Sequence, residues 1–266
     1  MNRLCVAALF LLGITADLGL AVEIKNPRPC YGPFGATRVG KAECLPGDKL
    51  WITYDIEGLV ADPKTKKVNY ETTLELLDAK GKVFFKDPVT TDAIPALGGG
   101  AMPGDLHVNI GKQPPGEYTI RLTIHDKIGK DAKAFDYPIT VLPEGFGMID
   151  VSAQTVGVLR LPYVMNFKMV GLTLNKDGIP NGEVTLRILD DKMKPVTEKP
   201  LTMALPRDLP DGINLKTLNL VPVAFPIELN RTGRFTIEVT ATDKNAKKTI
   251  ELRFPLTVID VGAYGK

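Results

Sequence analysis

Two cysteines carry the most direct chemical signal in this chain. Cys30 and Cys44 are separated by 13 residues, and in an oxidising compartment such a pair favours one local disulfide. Closing a loop of that size stabilises a fold by roughly 3 kcal/mol in the chain-entropy model. A reactive thiol pair or half of a metal site is the alternative, but the spacing is not Cys-x-x-Cys and no histidine lies near. We therefore predict a Cys30–Cys44 disulfide.

The remaining residue types that could perform catalysis are few. His107 and His125 are the two histidines, both on the polar positions of alternating segments, and two histidines leave a zinc site short of a third ligand. Ser152 is the single serine, and it lacks the context of an activated nucleophile. We expect no catalytic residue, no metal site and no cofactor.

Carboxylates leave a hydrolase as a less favoured alternative, because paired acidic side chains can cleave glycosides. The candidates are Asp55, Glu57, Asp177, Asp190 and Asp191. Two aspartate pairs, Asp78 with Asp190 and Asp126 with Asp243, recur at matching places in two halves of the chain. That recurrence favours a structural role in turns.

Trp51 and Thr53 are the candidate ligand-facing residues. In the segment 50–54 they lie out of phase with the apolar residues, so they project from the outer face of a strand. An outward aromatic ring can stack on a sugar or anchor a partner. The other interpretation is that Trp51 packs against the preceding segment, including Tyr31 and Phe34.

An internal repeat organises the elements that must position these residues. The segment 116–127 matches 233–244, and 137–142 matches 254–259 at the same offset. Within each copy apolar and polar residues alternate, as in Tyr118, Ile120, Leu122 and Ile124. Strict alternation is typical of a strand with one face buried and one in water, and Gly, Pro, Asn and Asp cluster between the strands.

These patterns predict an all-β fold of two tandem antiparallel β-sandwiches. We place a signal peptide at 1–21, a disulfide-closed arm packing on the first sandwich at 22–46, repeat 1 at 47–143 and repeat 2 at 148–262. The arm suits an otherwise open sheet edge. A short junction rich in Gly and Pro between the repeats favours limited freedom between them.

Both copies share the pattern Gly-x-Tyr/Phe-Thr-Ile-x-Leu/Val-Thr-x-x-Asp-Lys, followed by Pro-Ile/Leu-Thr-Val. In this signature the chain resembles the bacterial extracytoplasmic immunoglobulin-like and fibronectin type III-like repeats. The resemblance covers nearly all of 45–262 and implies sandwiches that serve adhesion, spacing, carbohydrate binding or chaperoning. Neither copy has the inter-sheet cysteine pair of antibody domains, and Val164 stands where Trp51 falls in the first copy.

The N-terminus and the charge balance set the expected location and partners. A basic start, an apolar run from Leu4 to about Ala16 and small residues at Gly19 and Ala21 indicate an exported chain with no membrane span after cleavage. The 33 basic and 31 acidic residues nearly cancel, so the chain has no long-range electrostatic field that would attract nucleic acid. The product is expected in the periplasm, at the cell surface or in the medium.

The sequence therefore predicts an exported, non-catalytic structural or interaction protein. It would present immunoglobulin-like domains to a protein or glycan of the cell envelope or the extracellular space. The alternative is a carbohydrate-binding module that uses Trp51 and neighbouring aromatic residues.

Overall fold

The structure is a computed structural model that describes residues 21–40, 42–205 and 220–262. The predicted signal peptide, apart from Ala21, lies outside these residues. All the strands fall into two groups, one in each half of the chain. No helix in the described part of the chain is long and apolar enough to cross a membrane.

In the part of the first half that the structure describes there are nine strands. Their bounds are β1 Glu23–Tyr31, β2 Ala36–Thr37, β3 Glu43–Cys44, β4 Lys49–Glu57, β5 Val68–Asp78, β6 Val83–Ala93, β7 Met102–Asn109, β8 Gly116–Asp126 and β9 Asp131–Val141. They form two sheets, with the orders β2-β1-β4-β7 and β3-β9-β8-β5-β6.

The described residues of the second half form eight strands. Their bounds are β10 Gly147–Ser152, β11 Val156–Val158, β12 Pro162–Val170, β13 Gly182–Leu189, β14 Leu201–Leu205, β15 Leu220–Glu228, β16 Gly233–Asp243 and β17 Lys248–Ile259. The sheet orders are β10-β12-β15 and β11-β17-β16-β13-β14.

The two halves share one topology, which is the structural counterpart of the sequence repeat. Apart from β2, each strand of the first half has an equivalent in the second, in the same order. Both halves include one parallel pairing, Cys44 beside Val141 on β3 and β9, and Val158 beside Ile259 on β11 and β17. The all-β fold of antiparallel sandwich type is confirmed.

Each sandwich buries the residues that alternation assigned to its core. On β8, Ile120, Leu122 and Ile124 are at most 1% exposed, while the intervening residues face outward. The side chains between the two sheets form one apolar cluster in each half of the chain. Burial of this apolar surface is the main force that holds the layers together.

The recurring aspartates close equivalent turns in both copies. The carboxylate of Asp78 accepts hydrogen bonds from the N–H groups of Lys80 and Lys82, and Asp190 does the same for Lys192 and Lys194. Such side-chain to backbone bonds are the usual reason for aspartate in turns.

The segment after β1 turns back as a short hairpin that enters the second sandwich. Ala36 donates its N–H to the Ala153 carbonyl, and Ala153 donates to that of Tyr31. The Tyr31 ring packs edge-on against Phe254, with ring centroids 5.0 Å apart. A Cβ added to Gly35 would lie 2.0 Å from the Tyr31 carbonyl oxygen, so only glycine fits here.

A buried carboxylate completes this joint between the sandwiches. Asp48, 3% exposed, accepts from Arg38 Nη1 at 2.7 Å and from the backbone N–H of Asp150 at 2.9 Å. Lys168 binds the Asp150 carboxylate at 2.7 Å. The hairpin and this network tie residues of both sandwiches to one another.

The predicted Cys30–Cys44 disulfide is not formed. Both thiols are free and fully buried, but they lie in different surroundings. Cys44 belongs to the core of the first sandwich. Cys30 instead faces Trp51 of β4. Trp51 points to the opposite side of β4 from the buried Leu50 and Ile52. Because facing residues of paired strands point to the same side, Cys30 leaves the sheet on its outer face, away from Cys44.

Candidate binding surfaces

The Trp51 face is the outer surface of the β1, β4 and β7 strands. We define it by two cross-strand rows, in which Cys30, Trp51 and His107 face one another, as do Arg28, Thr53 and Asp105. These residues occupy the outward phase because Leu50, Ile52, Tyr54 and Ile56 fill the core phase of β4. Strand pairing therefore brings together side chains that are far apart in the sequence.

Aromatic rings form the first row of this face. The Trp51 and His107 rings lie 4.6 Å apart between centroids and are inclined by 38°. His107 is exposed and Trp51 is half-buried, so the pair forms an aromatic surface with one side open to solvent. Such a surface can stack on a flat apolar face of a ligand.

Polar side chains form the second row, and one of them, Thr53, lacks a hydrogen-bond partner in the described part of the chain. Thr53 is 2% exposed, and its hydroxyl has no hydrogen-bond partner among the described residues. Burial raises the pKa of the neighbouring Asp105 carboxyl, and His107 opposes that rise. An unpartnered buried hydroxyl costs free energy, and the Thr53 hydroxyl is covered by its neighbours and not open to a ligand.

A bulge in β1 shapes one end of this face. The pairing of β1 with β4 shifts between Lys25 and Arg28, and Asn26 adopts a left-handed φ of 50°. The Asn26 amide donates to the Asp55 carboxylate at 3.1 Å, and Arg28 donates to the Asn26 carbonyl at 3.2 Å. Bulges redirect side chains in this way at many binding sites.

The sequence identified Trp51 and Thr53 as candidates, and strand pairing places Trp51 between Cys30 of the N-terminal arm and His107. Trp51 contacts His107, whereas Tyr31 packs on the second sandwich and Phe34 is 48% exposed. His107 was recognised only as a surface histidine. Its role beside Trp51 depends on the register of β4 and β7, which no local pattern encodes.

The second candidate surface is strand β6, which we call the β6 edge (Val83–Ala93). It pairs with β5 on one side, and no described strand pairs with the other. None of its residues is buried, and Val83, Phe84, Phe85 and Val89 are 42–54% exposed. Its counterpart β14 has 5 residues and ends on the buried Leu205. A long exposed apolar edge is a template for pairing with another chain.

Charges are divided along the β6 edge. Lys82 lies 5.2 Å from the centroid of the Phe84 ring, and Lys86 pairs with Glu75 at 3.0 Å. Toward the other end, Asp92 pairs with Lys67 at 3.1 Å. Pro88 within this strand is typical of an edge strand, because proline has no N–H to donate to a neighbouring strand.

Comparisons with known proteins show a structural likeness to many solved chains. No protein-family model matches this chain, and no curated protein matches it. The crystal structure of dimeric latent PorU from Porphyromonas gingivalis is similar over 92% of this chain, at 12% identity and a TM-score of 0.41. This chain spans 21% of the length of that chain.

Proposed function

We propose that this chain is an exported, non-catalytic interaction protein, made of two immunoglobulin-like or fibronectin type III-like sandwiches. It works in the periplasm, at the cell surface or in the medium. The observation that carries this proposal is the β6 edge, an 11-residue strand with unpaired backbone groups and exposed apolar side chains. Edges of this kind bind proteins by strand addition, with main-chain hydrogen bonds for affinity and side-chain contacts for specificity.

The joint between the sandwiches supports the same proposal. The Asp48 network and the inserted hairpin fix the surfaces of one sandwich relative to those of the other. A binding surface held rigid before contact loses less entropy on association. The chain would thus present its edge and faces in one fixed arrangement.

Affinity capture with paired variants tests this function. The mature chain, residues 22–266, is immobilised beside a Phe85→Ser/Val89→Ser double variant and a Val164→Ser control. Val164 is 45% exposed on the second sandwich, so it matches the β6 residues in burial. We expect one envelope protein to be retained by the wild type and the control and reduced at least about tenfold by the double variant. Equal retention by all three would contradict the proposal.

The Trp51 face favours a second candidate function, the binding of a saccharide. The Trp51–His107 pair offers an aromatic surface, and Asp105 and Arg28 offer hydrogen-bonding groups beside it. A sugar combines an apolar ring face with hydroxyl groups, so it fits both rows at once.

A glycan array first identifies the glycans that the wild type binds. Titration with those glycans then measures the affinity of each variant and tests this candidate. We expect Trp51→Ala to weaken binding by about tenfold or more, and Phe84→Ala, which alters an exposed aromatic residue on the β6 edge, to leave it unchanged. If the wild type binds no glycan, or if both variants weaken binding equally, the Trp51 face is not a saccharide site.

A further inference from the structure

We propose that the β6 edge pairs with the β6 edge of a second copy of this chain. The two strands run antiparallel about a two-fold axis at Val89 and join two five-stranded sheets into one. This inference rests on the proposed function, because it takes β6 as the interaction surface and names its occupant. The backbone N–H and C=O groups on the unpaired side of β6 can all be satisfied by another extended strand, so a strand is the expected partner.

The charge distribution selects a copy in antiparallel orientation. Lys80 and Lys82 precede β6 and Lys86 lies in its first half, whereas Asp92 lies near its end; Asp87 stands next to Lys86 in the first half. A strand whose two ends carry opposite charge complements itself when it is reversed. A parallel copy would instead place like charges side by side.

Symmetry restricts the register of this pairing. A two-fold axis perpendicular to a continuous sheet relates each side chain to one on the same face, so paired residues must share the same alternation phase. Phe85, Asp87 and Val89 share one phase of β6, where they face Leu76, Leu74 and Thr72 of β5. Lys86, Pro88 and Asp92 occupy the opposite phase.

A two-fold axis at Val89 satisfies both the charge complementarity and the requirement that paired residues share a phase. On one face it places Val89 beside its own copy, Phe85 beside Ala93 and Asp87 beside Thr91. On the other face it places Lys86 beside Asp92, so opposite charges meet there. Shifting the axis to Asp87 would oppose two carboxylates, and shifting it to Lys86 would oppose two ammonium groups. Pro88 has no N–H to donate and lies beside Thr90 in this register.

Sedimentation equilibrium of the mature chain tests the association. We expect a monomer–dimer equilibrium in the wild type. Val89→Lys should weaken dimerisation at least about tenfold, because two ammonium groups then meet at the axis. Val164→Lys, a substitution of similar exposure on the second sandwich, should leave the dimer intact. A wild type that is monomeric at all concentrations, or a dimer unaffected by Val89→Lys, overturns the inference.

Charge exchange tests the register. Lys86→Asp and Asp92→Lys should each weaken the dimer, and the double variant should recover the wild-type affinity within about threefold. The bonds of Lys86 to Glu75 and of Asp92 to Lys67 are exposed, so their loss costs little. If the double variant is weaker than both single variants, the two residues do not face each other across the axis.

Cysteine cross-linking gives a readout that does not depend on affinity. Val89→Cys places two thiols on the axis, within the reach of a disulfide, and Thr91→Cys places each thiol opposite Asp87. Mild oxidation should link the first variant into a dimer and leave the second unlinked. The reverse result overturns the register.

The inference and the proposed function fail in different ways. If the chain is monomeric but Phe85→Ser/Val89→Ser still abolishes the capture of a different envelope protein, β6 is an interaction surface and the second copy is not its occupant. If the captured protein is this chain itself, both proposals hold.

Discussion

At the scale of the residue, one buried carboxylate organises a turn in each sandwich. Asp243 is fully buried and accepts the backbone N–H groups of Thr173, Asn245 and Ala246 at 2.8–3.1 Å. Its counterpart Asp126 accepts those of Val60, Ile128 and Gly129. The recurrence that the sequence displays is therefore a recurrence of hydrogen bonds, which explains why the residue type is the same in both copies.

Replacing Asp243 by alanine should destabilise the protein by about 3 kcal/mol at pH 7, because three buried N–H groups lose their partner. Urea unfolding gives this free energy. Asp177→Ala, a change of an exposed turn aspartate, serves as the control and should alter it by less than about 0.5 kcal/mol. An equal effect of both variants would contradict the assigned role.

The same aspartate should make stability depend on pH. Burial acts to raise the pKa of Asp243, but the N–H donors of Thr173, Ala246 and Asn245 outweigh it and hold the pKa below its ordinary value of 3.8. The carboxylate therefore stabilises the fold fully above that value, and this contribution is lost as the pH falls through the lowered pKa. The difference between the wild type and Asp243→Ala should shrink in unfolding curves measured well below pH 3.8, and a constant difference would contradict this assignment.

The two cysteines should be unreactive in the folded chain. Both are fully buried, and burial raises the pKa of the Cys44 thiol to about 12, so the nucleophilic thiolate is scarce at neutral pH. A maleimide should label neither thiol in the native protein and both after denaturation without reductant. Mass spectrometry that finds no labelling after denaturation would instead reveal a disulfide.

At the scale of the element, the joint makes the sharpest prediction. Asp48→Ala leaves the Arg38 guanidinium, whose side chain is 9% exposed, without its partner, a loss that costs about 3–5 kcal/mol in buried pairs. We expect calorimetry to show one cooperative transition in the wild type and two separate transitions in the variant. Asp62→Ala, on an exposed turn, should keep one transition. A single unchanged transition in Asp48→Ala would mean that the network does not couple the sandwiches.

Strands with one buried face were the elements that sequence predicted best. The alternation of apolar and polar residues in β8 and β16 predicts which side chains are buried, and the sequence repeat predicts that the fold occurs twice. The phase of Cys30, the stacking of Trp51 on His107 and the hairpin that inserts Ala36 into the second sandwich depend on register and on contacts distant in sequence. Local patterns contain no information on these, which is why the disulfide prediction was wrong.

The β6 edge escaped sequence analysis for a different reason. Val83, Phe84 and Phe85 form an apolar run that is compatible with a strand covered on both faces. Its exposure arises because no described strand lies beyond β6. None of its residues is buried, although the Phe84 ring contacts Tyr118 of the core at 6.3 Å between ring centroids. The composition of a strand therefore does not reveal its place in a sheet.

At the scale of the whole molecule, a net charge of only +2 leaves little long-range repulsion between copies. Under the proposed function, association is then decided by local contacts at the β6 edge and the Trp51 face. The rigid joint sets how these surfaces are presented relative to the second sandwich. Any assembly of this chain should thus inherit one fixed angle between its two sandwiches.

Hydrogen–deuterium exchange tests the central claim, that β6 is the interaction edge, most directly. Exchange is followed in the mature chain at low and high concentration, and again after addition of a captured envelope partner. We predict that amides in 83–93 become protected on association while those of the equivalent strand β14 do not change. Unchanged exchange in 83–93 in every complex, with protection elsewhere, would contradict the account.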